Sequence, residues 1–210
     1  MIEYVNIFFQ SLELSIWVAA LAGLLQFFGY FLYAKDMIGG HNRPNPAAWM
    51  LWAVGNGIDL ISYQLVAQDW IKNILPISCA ISAIGIFILA LARGKWDWRE
   101  ISKFDWFLII ADIVIVALAW MFDQNEIGHI FVLADTILIY IFVIRDCKED
   151  PEAETFAPWF VWTCAYIVML MAVILRFDTW WAVGYPVVNF IMCAWVLFLI
   201  RNSRRKHLVA

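Results

Sequence analysis

An all-α integral membrane protein is the fold class this sequence predicts, with seven transmembrane helices forming two parallel three-helix bundles joined by a linker helix. Three observations predict it: an apolar composition, seven apolar windows of spanning length, and a gapless internal repeat. A soluble domain carries about 45–50% apolar and about 25% charged residues, whereas this 210-residue chain has 64% and 15%, with a mean hydropathy of +0.77. A spanning helix needs about 20 apolar residues, and windows of that kind fall at roughly 12–34, 46–67, 72–92, 104–121, 127–145, 157–176 and 180–200.

Shifting the sequence by 110 positions aligns Tyr30 with Tyr140, Lys35 with Arg145, Asp36 with Asp146, Trp49 with Trp159, Trp52 with Trp162, Trp70 with Trp180 and Pro76 with Pro186. Transporters are often built from such repeats. The unit holds three helices, which divides the chain into a first bundle at 1–103, a linker helix at 104–121 and a second bundle with a basic tail at 122–210. The linker restores chain direction and makes the two triplets parallel.

The first apolar run follows Met1, Ile2, Glu3 and Tyr4 without a basic leader region, so it reads as a retained helix. Gly39-Gly40 and Pro44-Asn45-Pro46 break the chain before the second helix, and Pro46 and Pro158 suit a first helical turn. Pro76 and Pro186 read equally well as kinks that free a backbone carbonyl or as ordinary helix-start prolines. The stretch from Arg93 to Asp105, with Trp96, Trp98 and Trp106 among charges, reads as an interfacial aromatic belt. The tail from Arg201 to Lys206 reads as an anchor near anionic lipid.

Lys and Arg mark cytoplasmic loops, and the loops after helices 1, 3, 5 and 7 carry 12 of the 14, leaving Lys72 and Arg176 on the other side. The expected location is a bacterial inner membrane, N-terminus outside and C-terminus cytoplasmic. The net charge of −4 is spread over short loops with no basic stripe, which sets nucleic acid aside. Cys79, Cys147, Cys164 and Cys193 have no paired ligand spacing and read as packing residues, without metal or cofactor. No nucleophile elbow, Walker loop or HExxH occurs, so an enzyme is not expected.

Function concentrates in helix 2. Trp49, Trp52, Asn56, Asp59 and Tyr63 are spaced 3, 4, 3 and 4, which places them on one helical face. Aromatic rings with an amide and a carboxylate suit a flat or polyhydroxylated solute, although Trp49 taken alone reads as a membrane-interface anchor. The helix 6 equivalent is Trp159, Trp162, Tyr166, Met169 and Val173, where the polarity is lost. The expected substrate-binding residues are Trp52, Asn56, Asp59, Trp162, Tyr166 and Asn189. Asp112 and Asp135 read either as proton-coupling sites or as neutral carboxyls bonded to a neighbouring helix. His129, near a helix end, reads as a solvated interface residue.

The arrangement of three, one and three helices resembles the SWEET, PQ-loop and PnuC group of carriers, and Trp49, Trp52 and Asn56 are similar to the Trp-x-x-Trp-x-x-x-Asn signature of PnuC-type vitamin transporters. The resemblance implies facilitated diffusion of nicotinamide riboside or a related precursor, with Trp52, Asn56 and, by repeat position, Trp162 on the substrate path. The expected partners are that small molecule and the lipid bilayer, with self-association compatible. The competing expectation is a non-transporting subunit or receptor on the same scaffold.

Overall fold

The structure is a computed structural model that describes residues 2–42, 46–92, 102–121, 124–150 and 154–209. Seven helices are present among them: α1 (Ile2–Gly39), α2 (Pro46–Ala67), α3 (Ile74–Ala92), α4 (Lys103–Met121), α5 (Asn125–Glu149), α6 (Phe156–Leu175) and α7 (Trp181–Val209). All but α2 are long and apolar enough to cross a membrane. Such a chain is a helical membrane protein, because backbone polar groups in hydrocarbon must be satisfied within each segment. α2 is 22 residues long, about 33 Å at 1.5 Å per residue, but Asn56, Asp59 and Gln64 lower its hydropathy.

The helix ends follow local chemistry. α1 runs past its expected end and closes at Gly40, whose φ is +75°. The His41 N–H donates to the Asp36 carbonyl at 2.8 Å and the Gly40 N–H to the Met37 carbonyl at 3.3 Å, the bonding of a Schellman cap. α2 stops at Gln68, which adopts φ +46° and donates its N–H to Gln64. α3 begins at Ile74 rather than 72, which leaves Lys72 and Asn73 in the turn. Arg43 and the tryptophan-rich stretch at 93–101 lie outside the described residues, as does Pro44-Asn45.

The aligned prolines differ in use. Pro76 is the third residue of α3, where its missing N–H breaks no helical bond. Pro186 lies inside α7 and leaves the carbonyl four residues back, on Ala182, without its helical donor. The Tyr63 hydroxyl of α2 donates to that carbonyl at 3.0 Å, so the α7 defect fixes α2 against α7.

Contacts run in a definite pattern. α3 packs against both α1 and α2, and α7 against both α5 and α6; across the middle, α1 packs on α6 and α2 on α5. α4 lies against α5 and touches α2, fastened at one end by Arg145, which donates to Asp105 at 2.5 Å and to Asp146. The helix 2 and helix 6 stripes turn inward: Trp49, Trp52, Asn56, Asp59 and Tyr63 are all buried, as are Trp159, Trp162, Tyr166, Met169 and Val173.

Candidate functional site

Where α1 meets α6 and α2 meets α5, aromatic rings enclose a small cavity. It has a volume of about 30 Å³, room for one or two waters. Its walls include Gln26, Tyr30, Trp49, Trp52, Asn56, Tyr140, Glu154, Trp159, Trp162 and Tyr166. The rings contact one another in matched pairs. Trp52 meets Tyr140 at 4.8 Å between centroids and Trp162 meets Tyr30 at 4.9 Å. Trp49 stands 6.1 Å from Tyr30 and Trp159 stands 6.2 Å from Tyr140. Each such pair adds about 0.5–1.5 kcal/mol beyond its buried area, so the cage is held largely by its own walls.

Polar groups on the wall are unevenly satisfied. The Trp162 indole N–H donates to the Gln26 carbonyl at 3.2 Å. Asn56 gives its amide N–H to the Trp52 carbonyl one turn back at 2.6 Å. The Gln26 side-chain oxygen is buried and, among the described residues, has no hydrogen-bond partner. An acceptor left in this state costs free energy unless a donor reaches it, and this one belongs to a residue of the cavity wall.

Contacts tie the helices together at both of their ends. At one end Glu154, between α5 and α6 and 5% exposed, accepts from the Tyr33 hydroxyl at 2.8 Å and from the Trp159 indole at 2.9 Å. The Trp49 indole donates to Tyr33 at 3.0 Å, and Thr155 donates to Asp36 at 2.6 Å. At the other end two ion pairs cross between the α2–α3 and α6–α7 connections: Lys72 with Asp178 and Arg176 with Asp69, each at 2.5 Å. The pairing is reciprocal, since each connection supplies one cation and one carboxylate.

Four of the six sequence-predicted binding residues line the cavity: Trp52, Asn56, Trp162 and Tyr166. Asp59 and Asn189 stand behind the wall. Asn189 accepts from the Tyr140 hydroxyl at 3.1 Å and donates to the Tyr185 carbonyl, positioning the ring that meets Trp52. Asp59 meets the Thr136 hydroxyl at 3.2 and 3.1 Å, while the same hydroxyl lies 3.0 Å from the Val132 carbonyl. A hydroxyl has one proton to give, so the two acceptors compete for it. Thr136→Val is expected to strand the buried Asp59 carboxyl and to lower stability by about 1–3 kcal/mol, read as a shift in the denaturation midpoint of the purified protein.

Asp112 and Asp135 face one another between α4 and α5, away from the cavity, and one Asp135 oxygen is buried without a partner. His129, expected at a solvated surface, is fully buried and its Nδ1 lies 2.9 Å from the Ser62 hydroxyl. Trp49, expected as a membrane anchor, is 6% exposed and bonded inside the cage. Glu154 and Tyr33 were missed by sequence reasoning. Glu154 sits in the acidic run Lys148-Glu149-Asp150-Pro151-Glu152-Ala153-Glu154, which looks like a solvated loop, and only its distance of five residues from Trp159 offered a signal.

No family model matches the chain, and no curated protein or solved structure matches it.

Proposed function

We propose that this chain is a membrane carrier for a small polar or aromatic solute, a vitamin precursor such as a nicotinamide riboside-like nucleoside or a sugar, moved by facilitated diffusion with alternating access. The observation that carries the reading is the aromatic cage where the halves of the chain meet, with the helices tied together by side-chain contacts at both of their ends. Helices 1–3 and 5–7 form two parallel bundles of one repeat, with α4 as the linker. Support for the repeat comes from the ring pairs, because Trp52–Tyr140 and Trp162–Tyr30 exchange under the 110-residue offset, as do Tyr30–Trp49 and Tyr140–Trp159. The matching helix contacts, α3 on α1 and α2 and α7 on α5 and α6, add to it.

The chemistry of the wall narrows the solute. Ligand pockets run to about 300–1,000 Å³, so a solute enters only as the rings part, and a flat ring then replaces ring-on-ring contacts at little loss. The unpartnered Gln26 oxygen favours a solute that brings N–H or O–H donors. On the distribution of Lys and Arg, the Lys72 end faces outside and the Glu154 end faces the cytoplasm of a bacterial inner membrane. Rocking of the two bundles about the cage would break the ion pairs and the Glu154 bonds in turn.

Reconstitution in liposomes with labelled vitamin precursors, nucleosides and sugars is expected to give saturable uptake of one class. Asn56→Ala is expected to weaken binding of that solute about fivefold to tenfold, the loss of one hydrogen bond of about 1 kcal/mol. Absence of uptake across the panel, with Asn56→Ala binding like the wild type, would overturn the reading. Stoichiometric co-purification of a second protein in mild detergent would favour a non-transporting subunit instead.

A further inference from the structure

We infer that the aromatic cage takes its solute as an organic cation, a positively charged nitrogen on a small apolar body, with the Glu154 carboxylate as the counter-charge. This rests on the carrier reading and narrows its solute to one charge, which places sugars and neutral nucleosides outside the site. Among the described residues that line the cavity, Glu154 alone bears a carboxyl, and none is a lysine or an arginine. Trp49, Trp52, Trp159 and Trp162 line it as well. An indole face attracts a cation held within about 6 Å of its centroid, and Trp does so better than Tyr or Phe.

The carboxyl is arranged as an anion. Oε1 accepts from the Tyr33 hydroxyl at 2.8 Å and Oε2 from the Trp159 indole at 2.9 Å, whereas a neutral acid would need an acceptor for its own proton. A carboxylate offers about four lone-pair sites, so each oxygen keeps capacity for a donor or a cation. No lysine, arginine or histidine pairs with Glu154 among the described residues, although the residue is only 5% exposed. Burial works against the charge and pushes the carboxyl up from 4.5 to about 7 in spite of the two hydrogen bonds. A cation in the cage offsets that cost; a sugar leaves it in place.

The same carboxylate conditions the rings. Trp159 bonds it directly, and Trp49, the equivalent residue under the 110-residue offset, reaches it through the Tyr33 hydroxyl at 3.0 Å. An indole N–H that donates to an anion is polarised along the bond, which makes its ring face more negative. One indole from each half of the chain is thereby prepared for positive charge.

Probes that share a shape and differ in charge test this by calorimetric titration of the purified full chain. The pairs are 1-methylnicotinamide, a flat pyridinium, with the neutral meta-toluamide, and choline with its carbon analogue 3,3-dimethylbutanol. In at least one pair the cation is expected to bind about tenfold or more tightly than its neutral twin, the effect of one charge-assisted contact. Equal affinity within both pairs, or no binding of either cation, would overturn the proposal, and neither result depends on a variant that has to fold. Glu154→Gln is expected to remove most of the preference and Glu154→Asp to retain it; a preference that Glu154→Gln leaves intact would also overturn it. Cys193 lies on the cavity wall and places the bound cation. With Cys79, Cys147 and Cys164 replaced by alanine, alkylation of Cys193 by a maleimide reagent is expected to slow in the presence of the tighter-binding cation and not of its neutral twin. A rate that both change equally, or that neither changes, would count against the cage as the site and overturn the proposal. Neither readout needs transport. A caged cation in a protein without uptake of any solute would defeat the carrier reading alone, and saturable uptake of a sugar or neutral nucleoside with no cation bound would defeat this one alone.

Discussion

Gly29→Ala is expected to lower stability by about 1–3 kcal/mol, the range for forcing an added carbon into a packed core, and to abolish solute binding. A Cβ at Gly29 would press into the Trp162 indole nitrogen and stand 2.5 Å from its Cδ1. Those atoms belong to a rigid ring that cannot rotate away cheaply. The ring is held by its bond to the Gln26 carbonyl, and it packs against Tyr30, Tyr33 and Trp159 at 4.9, 5.6 and 5.0 Å. Alanine at 29 must therefore push Trp162 into the cavity or push α1 off α6. Gly57→Ala is the internal comparison, because a Cβ there meets nothing within 4 Å and alanine is the better helix former by about 1 kcal/mol. Denaturation midpoints of both variants in detergent decide it. Equal stability of the two would mean that α1 and α6 do not pack through Trp162.

The second large effect is at the opposite end of the cage. Lys72 has no exposed side-chain surface, while its partner Asp178 is 51% exposed. Asp178→Asn leaves a buried ammonium without its carboxylate, whereas Lys72→Met leaves only a carboxylate that water already reaches. Breaking a fully buried pair costs about 3–5 kcal/mol; with one partner half in water, roughly 1–3 kcal/mol is expected for Asp178→Asn and clearly less for Lys72→Met. The double variant should recover most of the difference. A symmetrical cycle, with both single variants costing the same, would show that Lys72 is not buried in solution. The carrier reading adds that loosening this pair favours opening of the Lys72 end, which the same variants report as faster labelling of Cys193 from that side.

The legibility of the site varies residue by residue. Trp52 and Asn56 stood out because the spacing of an aromatic and an amide on one helical face is a local property of α2, and both line the cavity. Asp59 shared that spacing and still points behind the wall, toward Thr136 of α5; periodicity gives a face about a hundred degrees wide and cannot say which neighbour fills each part of it. Trp49 carried two readings that composition could not separate, since an indole at a helix start serves a membrane interface or a core equally well. Its N–H bond to Tyr33, 16 residues away, is what separates them. The aligned prolines looked alike and function differently, because the helix start falls two residues before Pro76 and five before Pro186.

Six of the seven expected spans, all but α2, are the part that the sequence by itself determined, because apolar length and helical period are properties of consecutive residues and the cost of exposing backbone to lipid admits only helices. It also determined the two inward faces, through the spacing of Trp49 to Tyr63 and of Trp159 to Val173. Only the tertiary structure decided which charges meet. Lys72 and Arg176 read as two stray cations, yet they bridge to Asp178 and Asp69 across more than a hundred residues. Glu154 read as one acid in an acidic loop, yet it is buried against Tyr33, 121 residues earlier. Burial and hydrogen-bond partners of a polar group depend on which helices pack together, and no local property of the chain carries that information.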